Sequence, residues 1–491
     1  MKKLIVVGAG LGGLALALRA ASAGWSVHVV ERYRTPGGKM NRLVQDGYAF
    51  DTGPSLITLP EIFTALFDEC HVDRSELQFH RLLPLTLYRF SDGCSIAYPS
   101  SLADLAQTLE KFESDKGQGF WRLISTGAKL MELSRRTFFR TTPRELPSVS
   151  EAIQLLSALR WMPIRNAWGN YANAVERNLS SHYLQRIFLR YPTYVGSSPY
   201  RCPATLLVIP YLEFALGGWY PEGGLYRIVE LIVDALGAKG AVISTGTHVR
   251  RILHRNGRVC GVELECGDVL EADVVAFNGD ATVAHQLLGS SQPALKRIER
   301  SMSGVVFLVG LKSRLPEDVF HHTIAFSQDY RKEFAELFDE RKFPADPTVY
   351  LNVTSKTDPS TAPPGGETLF IMANAPAIDG AKWRHLEPML WERICRTLSR
   401  CRIEIPESHI AVRLALTPED FEQRYAMPGG SIYGLASHSY RTAFVRPPLR
   451  DRRIGGLYYV GGSTHPGGGT PMVLISAKLV FNLMQRYEAH S

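Results

Sequence analysis

An apolar run, Lys3-Leu4-Ile5-Val6-Val7, meets Gly8-Ala9-Gly10-Leu11-Gly12-Gly13, and this junction constrains the chain more than any other feature. A strand must turn sharply there into a helix, the arrangement that holds an adenine dinucleotide. Gly8 permits the turn, Gly10 lets backbone approach a pyrophosphate, and Gly13 lets the helix lie close against a sheet. Gly12 belongs to the same cluster, and the helix N-terminus presents its free N–H groups to the phosphates. Ser26-Val27-His28-Val29-Val30 reads as the next strand, with Glu31 at its tip placed to accept both ribose hydroxyls. A carboxylate at that point repels a 2′-phosphate, so FAD or NAD is expected rather than NADP.

A secretion signal would use the same residues. Lys2 and Lys3 would be its positive region, 4–18 its apolar stretch and Ala21-Ser22-Ala23 its cleavage site. Four glycines inside a supposed helical core, Arg19 just before the cleavage site and a strand ending in Glu31 all favour the nucleotide-binding reading.

With 491 residues the chain has room for two or three domains, or for an interleaved pair. Cys70, Cys94, Cys202, Cys260, Cys266, Cys395 and Cys401 show no paired CxxC spacing. Neither a disulfide framework nor a zinc site is expected, and a reducing cytoplasm fits. Beyond the N-terminus no uninterrupted apolar run reaches about 18 residues, so no membrane-spanning helix is expected.

The net charge of +7 is concentrated in one region. Between Trp121 and Arg190 stand eleven basic residues and four acidic ones, a surplus equal to that of the whole chain. Phe120, Trp121, Phe138, Phe139, Trp161, Met162, Ile164 and Trp168 are interleaved with them. Basic residues beside aromatics suit an anionic membrane surface. A helical core with solvated Arg faces would show the same pattern, and nucleic acid fits less well because no binding motif accompanies the patch.

Strand and helix signals alternate to about residue 58, ending with the loop Pro36-Gly37-Gly38-Lys39 and the turn Asp51-Thr52-Gly53-Pro54. Helical periodicity dominates from there to about 212, including 102–112 and 149–159. A glycine-rich loop at 217–224 leads to a helix over 225–236, then to short strands with turns at Asn256-Gly257 and Cys266-Gly267-Asp268. Val274-Val275-Ala276-Phe277 reads as a buried strand running into a cofactor-side loop at Asn278-Gly279-Asp280, and 302–428 as a second mixed region. The last strand, Leu457-Tyr458-Tyr459-Val460, enters a segment with five glycines between Gly461 and Gly469, then a helix starting near Pro471. That provides a second helix N-terminus with close backbone approach. The expected organisation is a cofactor domain in three pieces (1–70, 215–285 and 445–491) with a substrate domain inserted twice (71–214 and 286–444).

The chain resembles the bacterial-type carotenoid desaturases, the FAD-dependent phytoene and diapophytoene desaturases. The resemblance covers nearly the whole length. It rests on Gly8 to Gly13, Gly37-Gly38-Lys39, Phe50-Asp51-Thr52-Gly53-Pro54-Ser55, Tyr194-Val195-Gly196-Ser197-Ser198-Pro199, Trp219-Tyr220-Pro221-Glu222-Gly223-Gly224, His321-His322-Thr323-Ile324, Gly430-Ser431-Ile432-Tyr433-Gly434 and the segment from Tyr459 to Gly469. It implies an α/β fold: a Rossmann-like FAD-binding domain, as in monoamine oxidases and GDP-dissociation inhibitors, with an inserted α+β substrate domain and a helical membrane-associating region at 120–190. It also implies bound FAD, peripheral attachment to the cytoplasmic membrane and a long-chain isoprenoid hydrocarbon as substrate. Beside Gly8, Gly10, Gly12, Gly13 and Glu31, FAD contacts are expected at Gly38, Lys39, Gly53, Pro54, Ser55, Val249, Gly462, Pro471 and Met472. The stretches at Tyr194 and Gly430 look more like the C30 branch, or relatives that oxidise carotenoid ends, so C30 and C40 substrates both stay open.

The chemistry agrees with such a site. Desaturation removes a hydride and a proton from adjacent carbons, and a flavin accepts the hydride where no side chain can. An apolar tunnel is therefore expected instead of a polar catalytic cluster. His465, inside the presumed flavin loop, is the candidate proton acceptor; its alternative is a histidine that bonds the loop. His321 and His322 read as structural, and Glu222 as facing the flavin or capping the following helix. No second dinucleotide fingerprint is present, so dioxygen or a membrane quinone is the expected electron acceptor. Alternatives with the same fold are a hydroxycarotenoid desaturase, a carotenoid isomerase, an end-group oxidase or ketolase, an amine oxidase and a prenyl-binding protein without catalysis.

Overall fold

The first apolar run forms strand β1 (Lys3–Val7), the middle of a five-stranded parallel sheet. With β2 (Ser26–Val30), β3 (Val242–Ser244), β4 (Val274–Phe277) and β5 (Leu457–Tyr459), the order is β5-β4-β1-β2-β3. The computed structural model describes residues 1–98, 102–141, 145, 152–153, 156–157, 169–289, 299–439, 442 and 446–488. After Lys3 every residue of β1 is buried, as are all four of β4, which is the pattern of parallel strands covered on both faces.

Helix α1 (Leu11–Ser22) returns the chain from β1 to β2 and is buried from Leu11 through Ala20. It packs in one core with helix α3 (Tyr226–Ala238) and the C-terminal helix α4 (Thr470–Glu488). Leu14, Leu16 and Leu18 are completely enclosed there, each contributing about 1.5–3 kcal/mol of burial. Arg19 is also buried and reaches Glu69 at 3.1 Å. An antiparallel meander of 249–255, 258–264 and 269–271 hangs beside the sheet. Its first turn, Asn256-Gly257, has positive φ at both residues, as a two-residue hairpin turn requires.

A second sheet has seven strands, in the order Ile410–Leu416, Ser303–Leu311, Glu367–Ala375, Val349–Val353, His322–Ala325, Leu87–Arg89 and Ser95–Ala97. All its pairings are antiparallel except that between His322–Ala325 and Leu87–Arg89. The helix expected at 102–112 forms as Leu102–Phe112, and the longest helix of the middle region is α2 (Gln118–Arg136).

Helices do dominate the described part of 58–212, but the structure adds strands that the sequence reading did not place there. Phe79–Arg81, Leu87–Arg89 and Ser95–Ala97 are strands. Each is three residues long, too short to show alternation. Phe79–Arg81 pairs with Trp219–Pro221 and Leu87–Arg89 with His322–Ala325, partners far away in sequence. Most of the helix expected at 149–159, together with Arg144, Arg160, Trp161, Met162, Ile164, Arg165 and Trp168, lies outside the described residues.

Candidate functional site

Beyond the carboxyl ends of β1, β2, β4 and β5 lies a cavity of about 1240 Å³. This is where open α/β sheets bind ligands, and the volume exceeds the roughly 300–1,000 Å³ of an ordinary ligand pocket. Its wall has two parts of different chemistry.

One part is backbone. Gly8, Gly10, Leu11 and Gly12 line it, and α1 begins there with Gly10 as N-cap and no side-chain cap on its first N–H groups. An uncapped helix start facing a cavity is a ready anion site, which fits the pyrophosphate of FAD. Gly8 has φ +102°, a conformation that glycine alone adopts freely. Gly13 stands behind the wall: a Cβ there would come within 2.3 Å of the Gly8 carbonyl oxygen, so its absence lets α1 close on the sheet. Glu31 lines the cavity while its two carboxylate oxygens accept the N–H groups of Ala9 and Tyr33, both at 2.7 Å. Each oxygen keeps lone-pair capacity for a ribose hydroxyl. The other expected cofactor residues, Gly38, Lys39, Gly53, Pro54, Ser55, Val249, Gly462, Pro471 and Met472, are all on the wall.

Sequence reasoning did not single out Arg446 and saw only a loop at Asn278-Gly279-Asp280. Asn278 sits against Gly10 and Gly13 and donates through Nδ2 to the Val460 carbonyl at 2.9 Å, tying the first and last glycine loops together. Lys39 donates to the Ile432 carbonyl at 2.5 Å; burial pulls its ammonium down to about 8, with Asp280 opposing that shift. Burial likewise lowers Arg446 to about 10 against the same carboxylate. The two cations and Asp280 all line the cavity.

The other part is apolar. Val306, Met372, Tyr350 and Ile324 are successive register partners across four strands of the seven-stranded sheet, and all four line the cavity. At about 4.8 Å per strand this row spans roughly 14 Å. Leu130 and Leu133 of α2, with Phe138 and Phe139, also contribute. The sequence left these two phenylalanines open between a membrane face and a helical core; they wall the cavity, while Phe120 is buried in the core.

Arg190 was also counted in the surface charge of that stretch. It is buried at 4% exposure and pairs with Glu213, at 2%, across 2.7 Å. Burial works against its charge, but Tyr194, Tyr88, Glu213 and Tyr191 carry the guanidinium well above its ordinary value. Arg190 and Tyr194 reach the cavity wall.

His465 does not line the cavity. Its Nε2–H donates to the Phe138 carbonyl at 2.8 Å, and its ring packs edge-on to the Phe138 ring. Burial holds it neutral by lowering its pKa to about 4. This geometry fits the loop-bonding reading. Glu222 corrects both of its expectations, since it is exposed, stands 3.7 Å from His80 and caps nothing. The pairing of Trp219–Pro221 with Phe79–Arg81 carries it to the surface. His321 and His322 are buried; His321 Nδ1 bonds Thr357 at 2.6 Å and His322 Nε2 the Ser55 carbonyl at 3.3 Å, with burial pushing His322 down to about 3.

Residues 11–480 match the family described as flavin-containing amine oxidoreductase. The chain is 35% identical over 496 residues to a 1-hydroxycarotenoid 3,4-desaturase of a Flavobacterium, covering 100% of both. It is 33% identical to a 4,4'-diapolycopene oxygenase of a Methylomonas, covering 98% of this chain and 97% of the relative. Its fold superposes on a crystal structure of an oxidoreductase from Methanosarcina mazei with a TM-score of 0.64 at 17% identity, over 98% of this chain and 100% of the other. The chain therefore belongs to the flavin-containing amine oxidoreductase family, in its carotenoid-desaturase branch, and is an FAD-dependent oxidoreductase.

Proposed function

We propose that the protein is a desaturase that introduces conjugated double bonds into an acyclic carotenoid precursor, C40 phytoene or C30 4,4′-diapophytoene. The observation that carries this reading is one cavity with a dinucleotide cradle in one part of its wall and a row of apolar side chains in the other. FAD, when bound, supplies the hydride acceptor. The start of α1 would hold the pyrophosphate and Glu31 the ribose, with Lys39, Gly53, Pro54, Ser55, Val249, Gly462, Pro471 and Met472 on the wall around it. Val306, Met372, Tyr350 and Ile324 lay an extended chain along the sheet and keep water from it. Gly13 and His465 act from behind the wall, one by allowing close packing and the other by fixing the backbone at Phe138.

Product mass tests the proposal. Purified protein incubated with phytoene or diapophytoene in lipid should yield products two hydrogens lighter per step. The name of the Methylomonas relative favours a second reading, oxidation of a carotenoid end. A gain of oxygen would establish it, and an unchanged mass with altered geometry would indicate an isomerase.

The protein is further proposed to work at the cytoplasmic membrane surface and to pass electrons to a quinone or dioxygen. Among the described residues no helix is long and apolar enough to cross a membrane. Trp121, Ile153 and Leu156 are exposed within the 120–190 stretch, as a surface contact would need. Sedimentation with anionic vesicles and anaerobic turnover with and without a soluble quinone test the two statements separately.

A further inference from the structure

The buried ion pair is out of place in a hydrocarbon site. Removing two charges from water costs several kcal/mol per ion, and a leucine–methionine pair would pack the same volume without that cost. Yet Arg190 lies among three tyrosine rings, with centroids 4.6 Å (Tyr191), 5.2 Å (Tyr194) and 5.4 Å (Tyr88) from its guanidinium carbon. It donates to Glu213 at 2.7 Å, to Tyr194 at 2.9 Å and to Tyr88 at 3.1 Å. Glu213 also accepts from Tyr191 at 2.9 Å and from Tyr194 at 2.6 Å. Three local irregularities bring these groups together. Arg190 ends the helix His182–Leu189, Tyr194 sits in the 3₁₀ turn Tyr191–Val195, and Glu213 sits in a π turn, Leu212–Leu216, of a kind often found at functional sites.

Resting on the carotenoid reading above, we propose that Tyr194 and Arg190 anchor an oxygen carried near one end of the substrate. The preferred substrate is then a terminally hydroxylated acyclic carotenoid, and the bare hydrocarbon is second. Both residues reach the cavity wall. The Tyr194 hydroxyl gives its proton to Glu213 and accepts one N–H from Arg190, which leaves one lone pair. Arg190 Nε has no hydrogen-bond partner among the described residues. A substrate hydroxyl can donate to the first and, with a small shift of the side chain, accept from the second. A methyl group can do neither. Sites built to bond a hydroxyl reject the analogue lacking it because their own polar groups are left unpaired.

The anchor shares its cavity with the cofactor loop: Tyr350, in the apolar row, bonds Ser55, and Ser55, Tyr350, Tyr194 and Arg190 all line that cavity.

The test uses the flavin-loaded, full-length protein in lipid with an acyclic C40 carotenoid and its 1-hydroxy derivative in competition. The wild type should favour the hydroxylated substrate at least tenfold in kcat/KM. Tyr194→Phe keeps the ring and the direct Arg190–Glu213 pair and should cut that preference about tenfold. Arg190→Met with Glu213→Leu, a matched apolar exchange, should abolish it; flavin absorbance and thermal melting confirm that both variants fold. Equal use of the two substrates by the wild type, or an unchanged ratio in Tyr194→Phe, overturns the anchor and leaves the desaturase reading standing. Failure to oxidise either substrate while flavin is bound overturns both.

Discussion

The two parts of the cavity wall are built by opposite means. The cofactor part is mostly backbone from two contiguous loops, Gly8 to Gly12 and Gly461 to Gly469, each leading from a strand into a helix. The substrate part is side chains from four strands, α2 and the Arg190 turn, assembled from Leu130 to Met372, more than two hundred residues apart. The difference teaches which changes each part tolerates: the first is sensitive to any added atom, the second to charge balance and shape.

The largest effect is expected where balance is broken. Arg190→Met alone strands the Glu213 carboxylate and should cost about 3–5 kcal/mol, read by urea unfolding, while the double exchange with Glu213→Leu should return only part of it, because the Tyr88, Tyr191 and Tyr194 hydroxyls lose these partners. A double variant as unstable as the single one would mean the pair is not a closed unit. Gly13→Ala challenges the backbone part: its Cβ would meet the Gly8 carbonyl at 2.3 Å, so stability should fall by about 1–3 kcal/mol with loss of bound flavin on gel filtration. Unchanged flavin retention would show that α1 can move away from the sheet. Glu31→Gln removes the charge but keeps one acceptor for Ala9 or Tyr33, and should weaken flavin binding about tenfold, near 1.4 kcal/mol, by equilibrium dialysis.

The smallest effect separates the two parts by pH. His465 is held below its ordinary pKa, at about 4, so the unfolded chain takes up its proton first as pH falls. The stability it contributes is complete above about 6.5 and is lost between there and about 4. His465→Gln should flatten that part of the pH–stability curve and leave the pH profile of turnover unmoved. A lost alkaline or acid limb in turnover would restore a proton-transfer role.

The same contrast explains what could be read in advance. The cofactor part was legible because strand, turn, glycine and helix succeed one another within some thirty residues, so Gly8 to Glu31 declares its own geometry. Lys39, Ser55, Val249 and Met472 were reached through resemblance, and all stand on the wall. The substrate part was not legible. Tyr350 and Met372 meet only through sheet register, and Leu87–Arg89 is a strand only because His322–Ala325 lies beside it. Arg190 read as one more surface cation because nothing near it in sequence reveals Glu213, which lies 23 residues on. Phe138 and Phe139 show the same limit, since an aromatic pair flanked by arginines looks alike on a membrane face and in a tunnel.

The central claim is that one cavity brings the flavin and the hydrocarbon together. Anaerobic mixing of the flavin-loaded protein with one equivalent of acyclic carotenoid tests it most directly, with the visible flavin band and the product mass followed in the same sample. The account predicts bleaching of the flavin matched one for one by product two hydrogens lighter. Carotenoid that binds without bleaching the flavin, or product that forms only when oxygen is admitted and is heavier by an oxygen atom, would contradict it.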